Sequence, residues 1–265
     1  MPKLIPLPEH DRPLVFAHRG LSSEAPENSM AAFKLAKEKG LPGVELDIHL
    51  TKDNKLVIIH DKTTKRVSPG TEFIVDSSSS AELAQVDIGS WFDPAFAGER
   101  LPLLSELFEE LGKDLYFDVE IKSDKSADRG LEETLAKLLK AFSYGPERIV
   151  VSSFNPIAIK RFKAFCPDIP TGIIYCIDDE VPKYLQRGEG RWIGNADFLK
   201  PKYTQATSFG LAIGRFFNGR RVLPWTIDDP AEAARVLKIG CDGVISNKPH
   251  KLGLLGLSGK PGYKS

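Results

Sequence analysis

The chain is poor in sulfur. Its 265 residues include three cysteines, Cys166, Cys176 and Cys241, and two methionines. An odd number of cysteines without C-x-x-C spacing argues against a disulfide framework or a zinc site, so they read as buried free thiols. An excess of charge of either sign is also missing, because 36 lysines and arginines balance 36 aspartates and glutamates. Without a long-range positive field, nucleic acid and anionic membrane surfaces are not expected partners, and an anionic substrate must be held by local charges. No stretch approaches the roughly 20 apolar residues of a membrane span. Residues 1–12 carry three prolines and several charges, where a secretory signal needs a continuous apolar run. The expected location is the cytoplasm.

What is present is an ordinary globular balance, 42% hydrophobic and 27% charged, in which short β-branched runs alternate with segments of helical period. That rhythm predicts repeated βα units around a parallel sheet. Strands are predicted at Leu14–Ala17, Gly43–Ile48, Leu115–Ile121, Ile149–Ser152, Thr171–Tyr175, Ala196–Leu199, Val222–Thr226 and Gly243–Ser246. Helices are predicted at Ser29–Lys39, Leu103–Leu111, Leu131–Phe142, Pro156–Phe165, Val181–Leu185, within Thr204–Phe217, and at Pro230–Ile239. Eight strands in about 250 residues fit one (β/α)8 TIM barrel spanning 1–265. Arg187–Asn195, rich in glycine and charge, reads as loop. The stretch between Asp61 and Leu103 breaks the rhythm. It carries turn residues, the serine run Ser77–Ser80 and the aromatic cluster Trp91, Phe92 and Phe96, and is expected to form a small inserted lobe, 62–102, after the second strand region. The tail 256–265 is expected to be mobile.

Groups at the C-terminal ends of barrel strands converge on one mouth. There the sequence places His18-Arg19-Gly20, Glu45-Leu46-Asp47, His60-Asp61 and Asp118-Val119-Glu120-Ile121-Lys122. Residues two apart on a strand share a face, so Glu45 and Asp47 point together, as does Glu120 with Asp118 or Lys122. Three inward oxygen donors suit a hard divalent ion such as Mg²⁺ or Ca²⁺. The competing reading pairs the same carboxylates with Arg19 and Lys122 as a structural ion network. His18 and His60, at strand ends beside carboxylates, suit acid–base chemistry, and Arg19 and Lys122 suit a phosphate. Trp225 can form an apolar wall for a substrate or pack in the core. His49, further along its strand, reads as structural or as part of the rim, and Asn247-Lys248-Pro249 as turn chemistry.

In order and spacing, His18-Arg19-Gly20, Pro26-Glu27-Asn28-Ser29, Glu45-Leu46-Asp47 with Thr51-Lys52-Asp53, and Ile59-His60-Asp61 resemble the opening signature of glycerophosphodiester phosphodiesterases. The likeness continues through Gly89-Ser90-Trp91-Phe92, Glu120-Ile121-Lys122, Ser152-Ser153-Phe154, Trp225-Thr226 and Asp242-Gly243-Val244-Ile245. It loosens around Asp197–Lys202 and departs at Asn247, where the family often has aspartate. The resemblance implies a barrel with a lobe after His60-Asp61, one divalent ion on Glu45, Asp47 and Glu120, and His18 and His60 as the acid–base pair. It also implies Arg19 and Lys122 on the substrate phosphate, Trp225 on the apolar side, and hydrolysis of glycerophosphodiesters such as glycerophosphocholine or glycerophosphoethanolamine to glycerol 3-phosphate and an alcohol.

Two alternatives stand beside it. One is a lysophospholipase D on the same barrel, which needs an apolar groove that Trp91, Phe92 and Phe96 could help to form. The other is a phosphodiester-binding module without catalysis, for which two proton-transfer groups beside a metal site would be superfluous. Head group, ion, the division of roles between the histidines, and monomer against homodimer stay open.

Overall fold

The structure, a computed structural model, describes residues 13–123, 129–211 and 221–255. The segments 1–12 and 256–265, read above as lacking a signal and as a mobile tail, lie outside them, as does the end of the helix expected within 204–217. Of that helix, 208–211 are helical.

Eight parallel strands are laid down as β1 (Leu14–His18), β2 (Gly43–Leu50), β4 (Tyr116–Ile121), β5 (Ile149–Ser153), β6 (Thr171–Tyr175), β7 (Phe198–Pro201), β8 (Arg221–Val222) and β9 (Gly243–Ser246). They form one sheet in the order β8-β7-β6-β5-β4-β2-β1-β9, with β3 (Leu56–Ile58) antiparallel on β2. The outer strands meet without a regular ladder. Asp242 N–H donates to Val222 O at 2.9 Å, Ile245 N–H to Pro224 O at 3.1 Å, and Ile227 N–H to Ile245 O at 2.9 Å. The result is a nearly closed (β/α)8 TIM barrel.

Alternation along the strands sorts side chains into two sets. Val15, Ala17, Val44, Leu46, Phe117, Val119, Val151 and Val244 join the large cluster shared with the helices. Leu14, Phe16, Tyr116, Val150, Phe198, Leu223 and Ile245 form a separate apolar plug. Two residues further along the same strands, the plug's row continues as His18, Asp118, Ser152, Lys200, Trp225 and Asn247, so a polar layer caps an apolar floor.

Helices start where the sequence punctuates them. Ser29 caps α1 (Met30–Glu38), accepting from Ala32 N–H, and Asn155 and Asp229 cap α5 (Pro156–Phe165) and α7 (Pro230–Lys238), each with proline in the first turn. Also present are α3 (Leu104–Leu111) and α4 (Leu131–Ala141). The region read as loop holds a short helix, α6 (Gly190–Gly194), and the helix expected at Val181–Leu185 shrinks to a 3-10 turn, Lys183–Leu185. The reason is packing. A Cβ on Gly194 would lie 2.9 Å from Pro156 O, so the bare glycine lets α6 press onto α5 despite its poor helix propensity.

Residues 62–103 carry a 3-10 turn (Val75–Ser77), α2 (Ser80–Leu83) and a second 3-10 turn (Pro94–Phe96). Val67, Val75, Leu83, Val86, Ile88 and Leu101 bury themselves with Val57 and Ile59 as a small cluster of their own. Trp91, Phe92 and Phe96 stack edge-on with centroids 6.0 and 5.7 Å apart. Of the cysteines, Cys176 and Cys241 are buried but Cys166 is only partly so, because it sits at the exposed end of α5. No helix among the described residues is long and apolar enough to cross a membrane.

Candidate active site

The sheet register brings the acidic residues together. Asp47 on β2 lies opposite Glu120 on β4, Glu45 lies opposite Asp118, and His18 on β1 lies opposite Glu45. Carboxylate oxygens of Glu45, Asp47 and Glu120 lie within 4.8 Å of one another, and all three residues are buried. Arg19 follows β1 in a left-handed turn, with φ of 56° and 75° at Arg19 and Gly20. A Cβ at Gly20 would come 2.7 Å from Ala32 Cβ, so glycine is required where the turn leans on α1.

Cations border the cluster. Arg19 Nε lies 3.3 Å from Asp47, and Lys122 Nζ bridges Asp47 at 3.0 Å and Glu120 at 2.5 Å. Asn28 adds a 2.9 Å hydrogen bond to Asp47. The ion network anticipated as a competing reading therefore exists, yet it leaves out Glu45. This carboxylate accepts from the Arg19 backbone N–H at 3.2 Å, and no lysine or arginine side chain among the described residues comes within ion-pair range of it. Burial first, then the neighbouring Asp47, pushes the Glu45 carboxyl well above its usual range, whereas at Asp47 burial is outweighed by Lys122 and Arg19, which hold it well below. A buried all-oxygen donor set with one uncompensated carboxylate fits a hard divalent cation.

Each histidine is tethered through Nδ1. Asn247 donates its amide N–H to Asp228 at 2.8 Å, which turns its carbonyl oxygen toward His18, so His18 Nδ1–H donates at 2.7 Å and Nε2 is left as an acceptor. His18 Nε2 lies 3.9 Å from Glu45. Burial first, and Arg19 second, lower the His18 pKa to about 4. His60 Nδ1–H donates to Asp61 at 2.6 Å. Asp61 in turn accepts from Arg66 Nε at 2.6 Å, and Arg66 grips Glu27 through two bonds of 2.7 and 2.8 Å. Glu27 also accepts from Arg19 at 2.9 Å. One chain of ion pairs thus runs from His60 to Arg19.

His49 is buried, with Nε2 3.1 Å from the His60 carbonyl. Trp225 donates to Lys200 O at 2.9 Å and meets Phe154 edge-on at 5.7 Å. One cleft of about 910 Å³ is lined by His18, Arg19, Glu45, His60, Glu120, Lys122 and Trp225, whereas the buried Asp47 is not part of its lining. Lys200, almost wholly buried but part of the same lining, pairs with Asp118 at 2.7 Å and donates to Ser152 at 2.9 Å. Lys200 was not anticipated, because the strand predicted at Ala196–Leu199 ends one residue before it, whereas the observed strand is Phe198–Pro201. Asn247 was read as turn chemistry and Arg66 not singled out, since the partners His18 and Glu27 lie 229 and 39 positions away.

Comparison with known proteins agrees with this architecture. The model of the glycerophosphoryl diester phosphodiesterase family matches residues 18–251. A glycerophosphodiester phosphodiesterase of Caldanaerobacter subterraneus subsp. tengcongensis is 39% identical, over 90% of this chain and 96% of the relative. Among solved structures, an Oleispira antarctica phosphodiesterase in complex with the product sn-glycerol-3-phosphate superposes with a TM-score of 0.78 at 29% identity, over 91% of this chain and 95% of that one. A Thermotoga maritima glycerophosphodiester phosphodiesterase superposes with a TM-score of 0.70 at 26% identity, over 91% and 96%. The chain belongs to the glycerophosphoryl diester phosphodiesterase family and is a phosphoric diester hydrolase.

Proposed function

We propose that the chain hydrolyses glycerophosphodiesters, such as glycerophosphocholine and glycerophosphoethanolamine, to glycerol 3-phosphate and an alcohol. Glu45, Asp47 and Glu120 hold one divalent cation, Mg²⁺ or Ca²⁺, and His18 and His60 move the protons. The observation that carries this reading is the buried carboxylate triad with a positive charge too few, set between two histidines whose Nδ1 atoms are both engaged. A divalent ion in that triad supplies Lewis-acid neutralisation of the phosphoryl oxygens.

A phosphodiester anion repels nucleophiles, so positive charge near its oxygens lowers the barrier as charge builds there. Arg19 supplies part through its guanidinium fork and Lys122 part as a point charge. With Nδ1 engaged, each histidine turns Nε2 to the substrate. One takes the proton of the attacking hydroxyl and the other returns one to the departing alkoxide. Trp225 and Phe154 form the apolar wall. The chain acts as one catalytic unit, with 62–102 as a lobe inserted into the barrel, and three thiols without disulfides suit the cytoplasm.

The test is release of glycerol 3-phosphate from glycerophosphocholine by the purified protein, with EDTA and with Mg²⁺ or Ca²⁺ restored. Turnover abolished by EDTA and restored by one ion is expected. Turnover indifferent to EDTA would remove the metal from the mechanism, and absence of turnover with every ion would overturn the substrate reading. His18→Ala and His60→Ala are each expected to lower kcat by about 10²- to 10⁴-fold, with the fold retained by circular dichroism.

A further inference from the structure

The inward faces of β2 and β4 carry a further carboxylate beside the triad. Glu45, Asp47 and Glu120 form the oxygen cluster, and Asp118 stands next to it with 0% of its surface exposed. Asp118 lies two residues before Glu120 on the same face of β4, and its Cα pairs with that of Glu45 across the ladder. Neighbouring strands run roughly 4.8 Å apart, so Asp118 adjoins the triad without belonging to it.

Lys200 holds it apart. The lysine Nζ reaches Asp118 Oδ2 at 2.7 Å and donates to Ser152 Oγ at 2.9 Å, while the Ser152 hydroxyl donates to Asp118 Oδ1 at 2.9 Å. Both oxygens of Asp118 are thereby engaged, one by a residue of β7 and one by a residue of β5. In the sheet β6 and β5 separate β7 from β4, so the lysine extends through the barrel interior to make this contact. Burial works against its charge, but Asp118 first, then Glu45 and Glu120, outweigh burial and raise its pKa above the ordinary lysine value.

Stability does not account for such a pair. The desolvation of two buried charges is poorly offset by their attraction, and apolar residues of similar volume serve a packed interior as well or better. The layer below is already apolar, with Phe16, Tyr116, Val150 and Phe198 packed together. The cation site gives the pair a use. A hard divalent ion gathers oxygen donors, and each added carboxylate changes its affinity. A released Asp118 would bring one more negative charge to the triad and take a position that water or a phosphodiester needs, whereas hydrolytic ion sites work through open positions.

We propose that Lys200 is a positioning residue that withholds Asp118 from the cation site, so that Glu45, Asp47 and Glu120 hold the ion without a further carboxylate. The inference rests on the metal reading above and adds the residue that sets the number of ligands.

The closing experiment measures Ca²⁺ and Mg²⁺ binding to the full chain by titration calorimetry, for the parent protein, Lys200→Met and Lys200→Met/Asp118→Asn. Lys200→Met is expected to lower the Kd for Ca²⁺ by about 10-fold or more, and to gain more Tm from saturating Ca²⁺ than the parent does. Its kcat on glycerophosphocholine is expected to fall at the same time, a combination of tighter ion binding and slower turnover that loss of a merely structural pair does not produce. The double variant is expected to return Kd to that of the parent. With Tb³⁺ in place of Ca²⁺, luminescence lifetimes in H₂O and D₂O count the waters on the ion, and Lys200→Met is expected to show about one fewer than the parent. Unchanged or weaker Ca²⁺ binding in Lys200→Met overturns this inference alone, as does an equal water count or a gain in affinity that survives in the double variant. Failure of Lys200→Met to fold in saturating Ca²⁺ also overturns it, because a released Asp118 would then have the ion as its partner. A parent protein that binds neither ion overturns the metal reading and this inference with it.

Discussion

At the scale of single residues, the site depends on side chains that do not reach the substrate. Asp61 fixes the His60 ring, and Arg66 fixes Asp61 while tying Glu27 to Arg19. A misplacement of about 1 Å in a reacting group costs on the order of 100-fold in rate, so Arg66→Ala is expected to lower kcat by about 10- to 100-fold with a smaller change in KM. Arg66→Lys is expected to recover only part, because a lysine cannot grip Glu27 with two parallel donors. Steady-state kinetics checks this, and an unchanged kcat would show that His60 needs no such support. Asn247→Ala removes the acceptor for His18 Nδ1–H and is expected to lower kcat similarly. The meeting of His18, Glu45, Asp47, His60 and Glu120 at one mouth was legible because strand alternation alone dictates which way each points. The tethers were not. His18 and Asn247 are 229 positions apart, and nothing local in Asn247-Lys248-Pro249 reveals that the pairing of β1 with β9 sets this amide beside His18.

At the scale of elements, a carboxylate adds to the backbone bonds, Lys52 N–H to Ser78 O and Ile58 N–H to Pro102 O, that join the antiparallel β2–β3 hairpin to 62–103. Asp53 accepts from Ser80 N–H at 2.8 Å and Ser80 Oγ at 2.7 Å, just where α2 begins, and from Thr51 Oγ at 2.7 Å. These donors, the Ser80 hydroxyl foremost, lower its pKa to about 2. A carboxyl depressed in the folded state from about 3.9 stabilises fully above that value, and the contribution fades as pH falls through about 2. Asp53→Asn is therefore expected to lower Tm at pH 6, with the gap to the parent protein narrowing as pH falls from 4 to 2. Thermal melts over that range check it, and a gap independent of pH would assign the loss to geometry rather than charge. Element identity was mostly legible, and each failure has its own local cause. β8 shortened from Val222–Thr226 to Arg221–Val222, because Pro224 cannot donate to a ladder. β7 moved from Ala196–Leu199 to Phe198–Pro201, since Asn195 and Asp197 are taken up in closing α6 and in bonds to Thr171. α6 formed from glycines whose helix propensity is poor, because close approach to α5 outweighs propensity.

At the scale of the whole molecule, a barrel must bring the two edges of its sheet together, and here the joint between the edge strands β8 and β9 is the least regular part of the sheet. The count of eight strands made the architecture legible, but the sequence does not reveal what closes it. The structure uses a side chain. Asp242, which precedes β9, accepts from the Val222 N–H at 2.8 Å and from Arg221 at 3.1 Å, while its own backbone joins Val222 and Leu14. The carboxylate is nearly fully buried. Removing it leaves a buried N–H without its acceptor and a partly buried guanidinium without its partner, which costs on the order of 2 kcal/mol. An exposed pair such as Glu133 and Lys137 contributes at most about 0.5 kcal/mol. Asp242→Ala is therefore expected to lower the urea midpoint clearly while Glu133→Ala barely moves it. If the seam is where the barrel opens, amides of Val222 and Ile245 in Asp242→Ala will also lose hydrogen-exchange protection before those of β4. Equal loss across all strands would mean that the barrel unfolds as one unit and that Asp242 acts on global stability alone.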